Sequence, residues 1–325
     1  MLASVVREYG GPEQLRLEDV PDPVPGPGEL LVRVEAAGVQ FVETQVRAGR
    51  MAGTPLAPPS LPWVPGSEVA GTVVATGEGV DPSLVGARVT GRTGQGGGYA
   101  ESALLREHDA HPIPERLGAA EAVSLLGTGR TAVGLTELAA VGPDDVVLVE
   151  SAASAVGTLL VQLARQAGVR RVVGLARGER KLALAKEFGA DTVLDYAEPG
   201  WSAALSDAGV SVVFDGVGGT IGREAFELLR PGGRFIAFGF SSGAGTTIAP
   251  GEAEQSGVTT LDYFGPPTGA RSPEVQHRQT RDLLTAVAAG RVRPLVGQTF
   301  PLRDAAAAHA AIERRETVGK TVLLP

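Results

Sequence analysis

Cysteine is missing from all 325 residues. Its absence excludes disulfides, thiolate nucleophiles and any zinc site that needs sulfur, the four-cysteine structural type included. Positive charge is scarce as well. The 29 Lys and Arg stand against 37 Asp and Glu, a net charge of −8, and an acidic surface does not attract phosphate backbones or anionic lipid. Nucleic acid and membrane are therefore not expected as partners. No segment runs about eighteen residues without a polar break, and the opening MLASVVREYGG lacks the apolar core of a leader, so a cytoplasmic protein is expected. Histidines are few. His108, His111, His277 and His309 are scattered without metal-ligand spacing and read as surface or structural residues.

Glycine, at 45, and proline, at 23, are plentiful instead, and crowd the first third of the chain. The run PDPVPGPG over residues 21–28 forbids helix, and LLVRVEAAGV after it alternates like a strand until Gly38. Short β-branched runs at Val69–Val74 and Ala87–Thr90 are separated by TPLAPPSLPWVPG and GRTGQGGG, which predicts irregular antiparallel sheet or a small barrel. After Pro114 the texture changes. Helix formers dominate from Ala119 to Ala140, and strand and helix patterns then alternate, with strands expected at Val146–Val149, Arg171–Leu175, Thr192–Leu194, Val210–Phe214 and Arg234–Phe238. Such repeated units predict a doubly wound parallel sheet with ligands at the carboxyl ends of its strands. Beyond Phe264 the alternation stops. GPPTGARSP reads as a loop, His277–Ala289 as a helix, and Lys320–Leu324 as a closing strand that returns to the first domain. The expected division is 1–122 with 265–325 as one domain and 123–264 as the other.

The strand VVLV at 146–149 runs into Glu150-Ser151-Ala152-Ala153-Ser154-Ala155-Val156-Gly157 and then a helix with Val156, Leu159, Leu160, Leu163, Ala164 and Ala167 on one face. This is where a dinucleotide binds: small residues let the backbone approach a pyrophosphate, and the amides of a helix N-terminus hold its charge. Only Gly157 remains of the usual three glycines, with Ser151 and Ser154 read at the other places. The plain alternative is a serine cap on a buried helix. About twenty residues on, NAD enzymes place a carboxylate against the ribose. Here Arg177 stands near that place, with Arg180 and Lys181 behind it and Glu179 among them, and this cluster favours a 2′-phosphate and hence NADPH. A solvated, charged helix start is the competing account, stronger for Arg180 than for Arg177.

A set of short motifs runs through the chain: Pro25-Gly26-Pro27-Gly28-Glu29, Ala37-Gly38-Val39, Pro65 to Gly71, Gly97-Gly98-Tyr99-Ala100-Glu101, Gly129-Arg130-Thr131-Ala132, Ala155-Val156-Gly157, Lys186 to Asp191, Asp215-Gly216-Val217-Gly218-Gly219 and Gly319-Lys320. With them the chain resembles, nearly end to end, the zinc-free medium-chain dehydrogenase/reductases of the quinone oxidoreductase type. The resemblance implies a GroES-like β-barrel domain built from both chain ends, a Rossmann domain between them, NADPH as cofactor and a homodimer. Gln40 and Ser67 match positions where zinc members hold their metal with Cys and His, so no zinc is expected. By the same likeness Ser154, Ala155, Val156 and Gly157 contact the pyrophosphate. Lys181 and Tyr196 would contact the 2′-phosphate and adenosine, and Thr131 and the stretch Phe238, Gly239 to Ser241 would lie near the nicotinamide. Val217 is a further expected cofactor contact, and Arg177 joins them from its place in the chain. Lys320 is a further cofactor contact by the resemblance.

One departure matters for chemistry. Quinone and enoyl reductases of this family commonly carry a tyrosine where this chain has Gln45, within Gln40-Phe41-Val42-Glu43-Thr44-Gln45-Val46-Arg47. A phenol can donate a proton and an amide cannot, so protonation must come from solvent or elsewhere. Tyr263 and Tyr99 are the remaining phenols, each alternatively a packed ring with its hydroxyl on backbone. The expectation is an NADPH-dependent oxidoreductase moving hydride to a small-molecule quinone or unsaturated carbonyl. In it Gln40, Gln45 and Thr131 serve as hydrogen-bonding groups and Tyr263 as the candidate proton donor. Trp63 and Phe41 would line a pocket mouth or fill the barrel, and Asp215 would cap the turn after its strand. A non-catalytic NADPH-binding or sensing protein is the rival, and a scaffold that binds no nucleotide, with serine side chains crowding the loop, is a third.

Overall fold

A computed structural model describes residues 1–51, 54, 60–94, 96–263 and 272–325. Most of the GPPTGARSP loop, parts of TPLAPPSLPWVPG and Gln95 of GRTGQGGG lie outside the described residues. The chain forms two compact units, residues 1–127 with 280–325 and residues 128–279.

The first unit is antiparallel in the main. Its seven-stranded sheet runs Val296–Pro301, Lys320–Leu324, Glu29–Val39, Glu68–Thr76, Arg88–Arg92, His111–Pro112, with Ser102–Arg106 also paired to Glu29–Val39. In the long strand Leu30, Val32 and Val34 are buried while Arg33 and Glu35 face solvent, the alternation of a half-buried strand. The closing strand pairs with it, Thr321 opposite Val39 and Leu323 opposite Ala37. A hairpin of Leu2–Val6 and Leu15–Asp19, and the strands Ser102–Arg106 and Val296–Pro301, lie where no strand was expected. Their sequences mix polar and apolar residues too briefly to show a period. Val32, Val34, Trp63, Val69, Val73, Leu105 and Leu323 share one core.

The second unit holds a six-stranded parallel sheet in the order Thr192–Asp195, Arg171–Ala176, Val146–Val149, Val210–Asp215, Leu229–Ala237, Thr259–Asp262. Numbered by sequence this is 3-2-1-4-5-6, the doubly wound dinucleotide-binding order, whose switch point lies between the strands Val146–Val149 and Val210–Asp215. Both of these strands are buried throughout, as interior parallel strands covered on two faces must be. The sixth strand reads TTLD and is largely exposed, so no apolar signal announced it. Leu229–Ala237 begins five residues before the expected Arg234. Its Pro231-Gly232-Gly233 passes through an irregular register against Val210 and Val212, a stretch no strand pattern would include.

The helical region expected at Ala119–Ala140 is two helices, Ala119–Val123 and Gly127–Ala139. The second helix begins where the Gly127 amide donates to the Glu68 carboxylate at 2.5 Å, a helix start placed on an anion. Segment 41–47, which no periodicity marked, is the helix Phe41–Arg47. The Glu43 carboxylate reaches back to accept from the Gln40 amide at 2.9 Å, which satisfies one of the donors a helix start leaves open.

Candidate active site

At the carboxyl end of Val146–Val149 the chain turns through Ser151, which sits in the left-handed region at φ 51°. Ser154 then caps the helix Ala155–Gln166, its Oγ accepting from the Gly157 amide at 3.0 Å. Gly157 is required by packing. A Cβ there would lie 2.2 Å from the Ser151 carbonyl oxygen and 2.8 Å from the Ala152 Cα. Counted back from Gly157 by the pattern's spacing, the other glycine places fall on Ser154 and Ala152. Ser151 is one residue outside that spacing and serves as the turn. The cap on Ser154 and the close approach at Gly157 occur together, so the serine-cap account and the dinucleotide account describe one structure. Ala152, Ala153 and Ala155 keep the turn small, and the helix N-terminus suits an anion.

The next strand ends beside a cationic edge. Arg177 is exposed directly after Arg171–Ala176, and Lys181 lies in the first turn of the helix Glu179–Glu187. The Tyr196 amide donates to the Ala176 carbonyl at 3.3 Å, which sets Tyr196 next to Arg177. Asp195 contributes a carboxylate here, but its two oxygens accept from the Gly178 amide at 2.7 Å and the Ala197 amide at 2.8 Å.

At the switch point the strand ends carry two acids, Glu150 and Asp215, both fully buried. Glu150 accepts from the Val217 amide at 2.9 Å. Asp215 accepts from the Gly218 amide at 2.7 Å and the Thr246 hydroxyl at 2.6 Å, so it caps the turn as its sequence position suggested. Burial, with the neighbouring Asp215 next in importance, pushes the Glu150 carboxyl well above the usual carboxylate range. Neither the burial of Glu150 nor its pairing carried a sequence signal, because the contact joins residues 65 positions apart. Phe238 and Ser241 donate their amides to the carbonyls of Asp215 at 2.9 Å and Gly216 at 3.3 Å. A Cβ on Gly239 would meet Gly216 backbone at 2.6 Å. Val217, Phe238, Gly239 and Ser241 are thus gathered at one set of strand ends.

Thr131 lies on the helix Gly127–Ala139. Tyr263 rests on that helix one residue before Thr131 and three residues after it: its hydroxyl donates to the Arg130 carbonyl at 3.4 Å, and a Cβ on Gly134 would meet the phenol oxygen at 2.7 Å.

The remaining candidates belong to the first unit. Gln40 donates its side-chain amide to Ser67 Oγ at 3.1 Å, and Ser67 donates both its backbone amide and its hydroxyl to Glu43, each at 2.9 Å. Tyr99 is fully buried; its hydroxyl donates to Glu43 at 2.7 Å and lies 3.0 Å from His309 Nε2. Burial, then the nearby Arg47, pulls the His309 pKa down to about 3, so the ring is neutral and accepts or donates without charge. Gln45 is nearly buried, with its amide donating to Thr44 Oγ1 at 2.9 Å and its carbonyl accepting from Arg50 at 3.1 Å. Lys320 is buried too, its ammonium 2.8 Å from Glu68. Glu43 escaped sequence analysis although its place three residues after Gln40 was the available clue. A cavity of about 410 Å³ is lined by Ser60, Pro62, Trp63, Thr93 and Gly96. Trp63 both lines it and joins the barrel core, while Phe41 stays more than a third exposed.

Two family models match: an alcohol dehydrogenase GroES-like domain over residues 26–115, and a zinc-binding dehydrogenase domain over 188–323. A quinone oxidoreductase of Pseudomonas aeruginosa is 32% identical over 98% of this chain and 97% of that protein. A 2-haloacrylate reductase of Burkholderia is 32% identical over 100% and 99%. Among solved structures, Escherichia coli quinone oxidoreductase complexed with NADPH superposes with a TM-score of 0.90 at 28% identity, covering all of both chains. A mycobacterial protein complexed with NADPH gives 0.89 at 35%, again over both full lengths. The fold is therefore a GroES-like domain joined to a Rossmann domain, the architecture expected from the sequence. The chain belongs to the medium-chain dehydrogenase/reductase family, among the quinone oxidoreductases.

Proposed function

We propose that this chain is an NADPH-dependent reductase that passes hydride to a quinone or an α,β-unsaturated carbonyl without zinc. The observation that carries the reading is the cationic edge of Arg177 and Lys181 beside Tyr196, at the second strand of a 3-2-1-4-5-6 sheet, where a dinucleotide's ribose lies. NADPH-bound quinone oxidoreductases among the similar structures support it.

The residues fit such a cofactor. The small turn pressed against Gly157 leaves room for a pyrophosphate, and the amides at Ala155 and Val156 begin a helix whose dipole favours it. Arg177 and Lys181 neutralise a 2′-phosphate, and Tyr196 borders the adenosine. Val217, Phe238, Gly239, Ser241 and Thr131 would flank the nicotinamide. When bound, NADPH supplies the hydride. Gln40 and Gln45 are proposed to hydrogen-bond the acceptor. Tyr263 is the proposed source of a proton, solvent the other. Lys320 is committed to Glu68, and the proposal does not rest on it. Zinc is disfavoured by donor chemistry: an amide and a hydroxyl bonded to each other stand at Gln40 and Ser67, whereas zinc takes thiolate, imidazole or carboxylate. A homodimer and a cytoplasmic location belong to the same proposal on family grounds.

The test is a fluorescence titration of the protein with NADPH and NADH side by side, followed by an acceptor screen and metal analysis. Tight NADPH and weak NADH with turnover of a quinone or enone support the reading. A preference for NADH sinks the 2′-phosphate argument, and NADPH binding with no oxidation by any acceptor favours the non-catalytic sensor. Gln40→Ala and Gln45→Ala should each lower turnover with the best acceptor, and unchanged turnover in both would remove these residues from the site.

A further inference from the structure

Glu150 and Asp215 end neighbouring strands on either side of the switch point. The Glu150 amide bonds to the Phe214 carbonyl at 3.1 Å, and the sheet register that sets Phe214 opposite Val149 carries on to place the two acids side by side. In-register neighbours on adjacent parallel strands turn their side chains to the same face, and neither carboxyl is exposed to water. Two carboxylates so placed in a dry interior do not both ionise, because mutual repulsion adds to the desolvation of each.

The hydrogen-bond pattern says where the remaining proton resides. Asp215 already accepts from two donors, the Gly218 amide and the Thr246 hydroxyl. Glu150 Oε2 accepts from the Val217 amide, and Glu150 Oε1 is a buried oxygen with no hydrogen-bond partner among the described residues. A proton on Glu150 Oε1 turns that orphan acceptor into a donor to Asp215 and satisfies both groups. Titratable Asp215 faces Glu150 from the adjoining strand. Among the described residues the donors to the pair are the Gly216, Val217 and Gly218 amides and the Thr246 hydroxyl, all uncharged.

Between them the acids hold the turn Gly216-Val217-Gly218 at two points, and Ser242 closes it from the other side by donating its amide to the Val217 carbonyl at 2.8 Å. Phe238 lies against Gly216, where a Cβ would come within 2.6 Å of its ring. We infer that Glu150 and Asp215 share one proton, resident on Glu150, and that this proton positions the Gly216–Gly218 turn for the cofactor, so that affinity for NADPH is lost when the proton leaves. Loss of the proton would put a second negative charge at the switch point, beneath the place where an anionic dinucleotide binds, and would drive the two strand ends apart. Glu150 is thus a positioning residue that acts through Val217. The inference rests on the NADPH-binding reading above.

The sign follows from the raised Glu150 pKa. The folded protein binds a proton that the unfolded chain releases, so this stabilisation is complete at acid pH and disappears as pH rises through the folded-state pKa. Glu150→Gln is the decisive variant, because its amide donates to Asp215 and its carbonyl accepts from Val217 while nothing can ionise.

Two measurements across a pH series on wild type and E150Q test the inference: thermal unfolding without cofactor, and NADPH titration by fluorescence. Wild type should lose thermal stability toward alkaline pH more steeply than E150Q. Its NADPH affinity should also fall, by up to about tenfold per pH unit beyond the transition, while E150Q stays flatter. Superimposable unfolding profiles would overturn the shared proton. Divergent unfolding profiles with parallel NADPH profiles would overturn its link to the cofactor turn. If wild type binds NADPH at no pH, the proposed function fails and the link to the cofactor fails with it, while the unfolding profiles still decide the shared proton by themselves.

Discussion

The Lys320 ammonium lies 2.8 Å from the Glu68 carboxylate, with both side chains essentially removed from solvent. Burial, the largest single influence, raises the Glu68 pKa, but Lys320, Arg92 and the Gly127 amide together outweigh it and the net shift is downward. The other Glu68 oxygen takes the Gly127 amide at 2.5 Å, so this carboxylate joins the closing strand to a helix start. Lys320→Met leaves that charge buried without its counter-ion and should cost about 3–5 kcal/mol. The double variant Lys320→Met with Glu68→Gln should recover part of the loss. Urea unfolding of wild type and the two variants reads it directly, and a single variant as stable as wild type would show the pair to be energetically idle.

Gly157 and Ser154 act on the same turn by different means, so their substitutions should differ in size. Gly157→Ala drives a Cβ into the Ser151 carbonyl and the Ala152 Cα, backbone that cannot rotate away, and should destabilise by about 1–3 kcal/mol. Ser154→Ala removes only the bond to the Gly157 amide and should cost about 1 kcal/mol. Chemical denaturation would reverse this ranking if the turn could shift to accept the methyl group.

What the sequence disclosed followed the range of the interactions. Unbroken apolar strands such as Val146–Val149, and the periodic helix after Ser154, were legible because their burial is written into neighbouring residues. The strand Thr259–Asp262 was not, since an edge strand with exposed threonines has no apolar face to show. Among the proposed cofactor residues, Arg177 and Lys181 are marked in the sequence by their distance along the chain beyond the small-residue turn. The contact of Tyr99 with Glu43 and His309 was not, because it joins residues 56 and 210 positions apart and only the fold brings them together. Glu150 was hidden for the same reason.

Cofactor choice can be separated from cofactor binding. Arg177 is exposed and Lys181 only half-buried, so replacing both with alanine should leave the fold intact. Each charge-assisted bond to a 2′-phosphate contributes about 1.5–3 kcal/mol. Two such bonds lost together should therefore weaken NADPH by about two to four orders of magnitude while leaving NADH nearly unchanged. Equal weakening of both would assign the two cations to general attraction for an anion rather than to recognition of the extra phosphate.

His309 makes the fold sensitive to acid. Its ring is buried against the Tyr99 hydroxyl, and its pKa is drawn from 6.5 down to about 3, so the unfolded chain takes up a proton that the folded protein refuses. The stabilisation is complete above the unfolded pKa and is lost as pH falls from there toward the folded value. At pH 5 the loss from this one group should be about 2 kcal/mol. His309→Gln keeps a polar partner for Tyr99 without a titrating ring, so its stability should decline less between pH 7 and pH 4 than that of wild type. Thermal unfolding at closely spaced pH values measures the difference, and identical acid limbs for the two proteins would mean that the His309 ring is protonated without unfolding its surroundings.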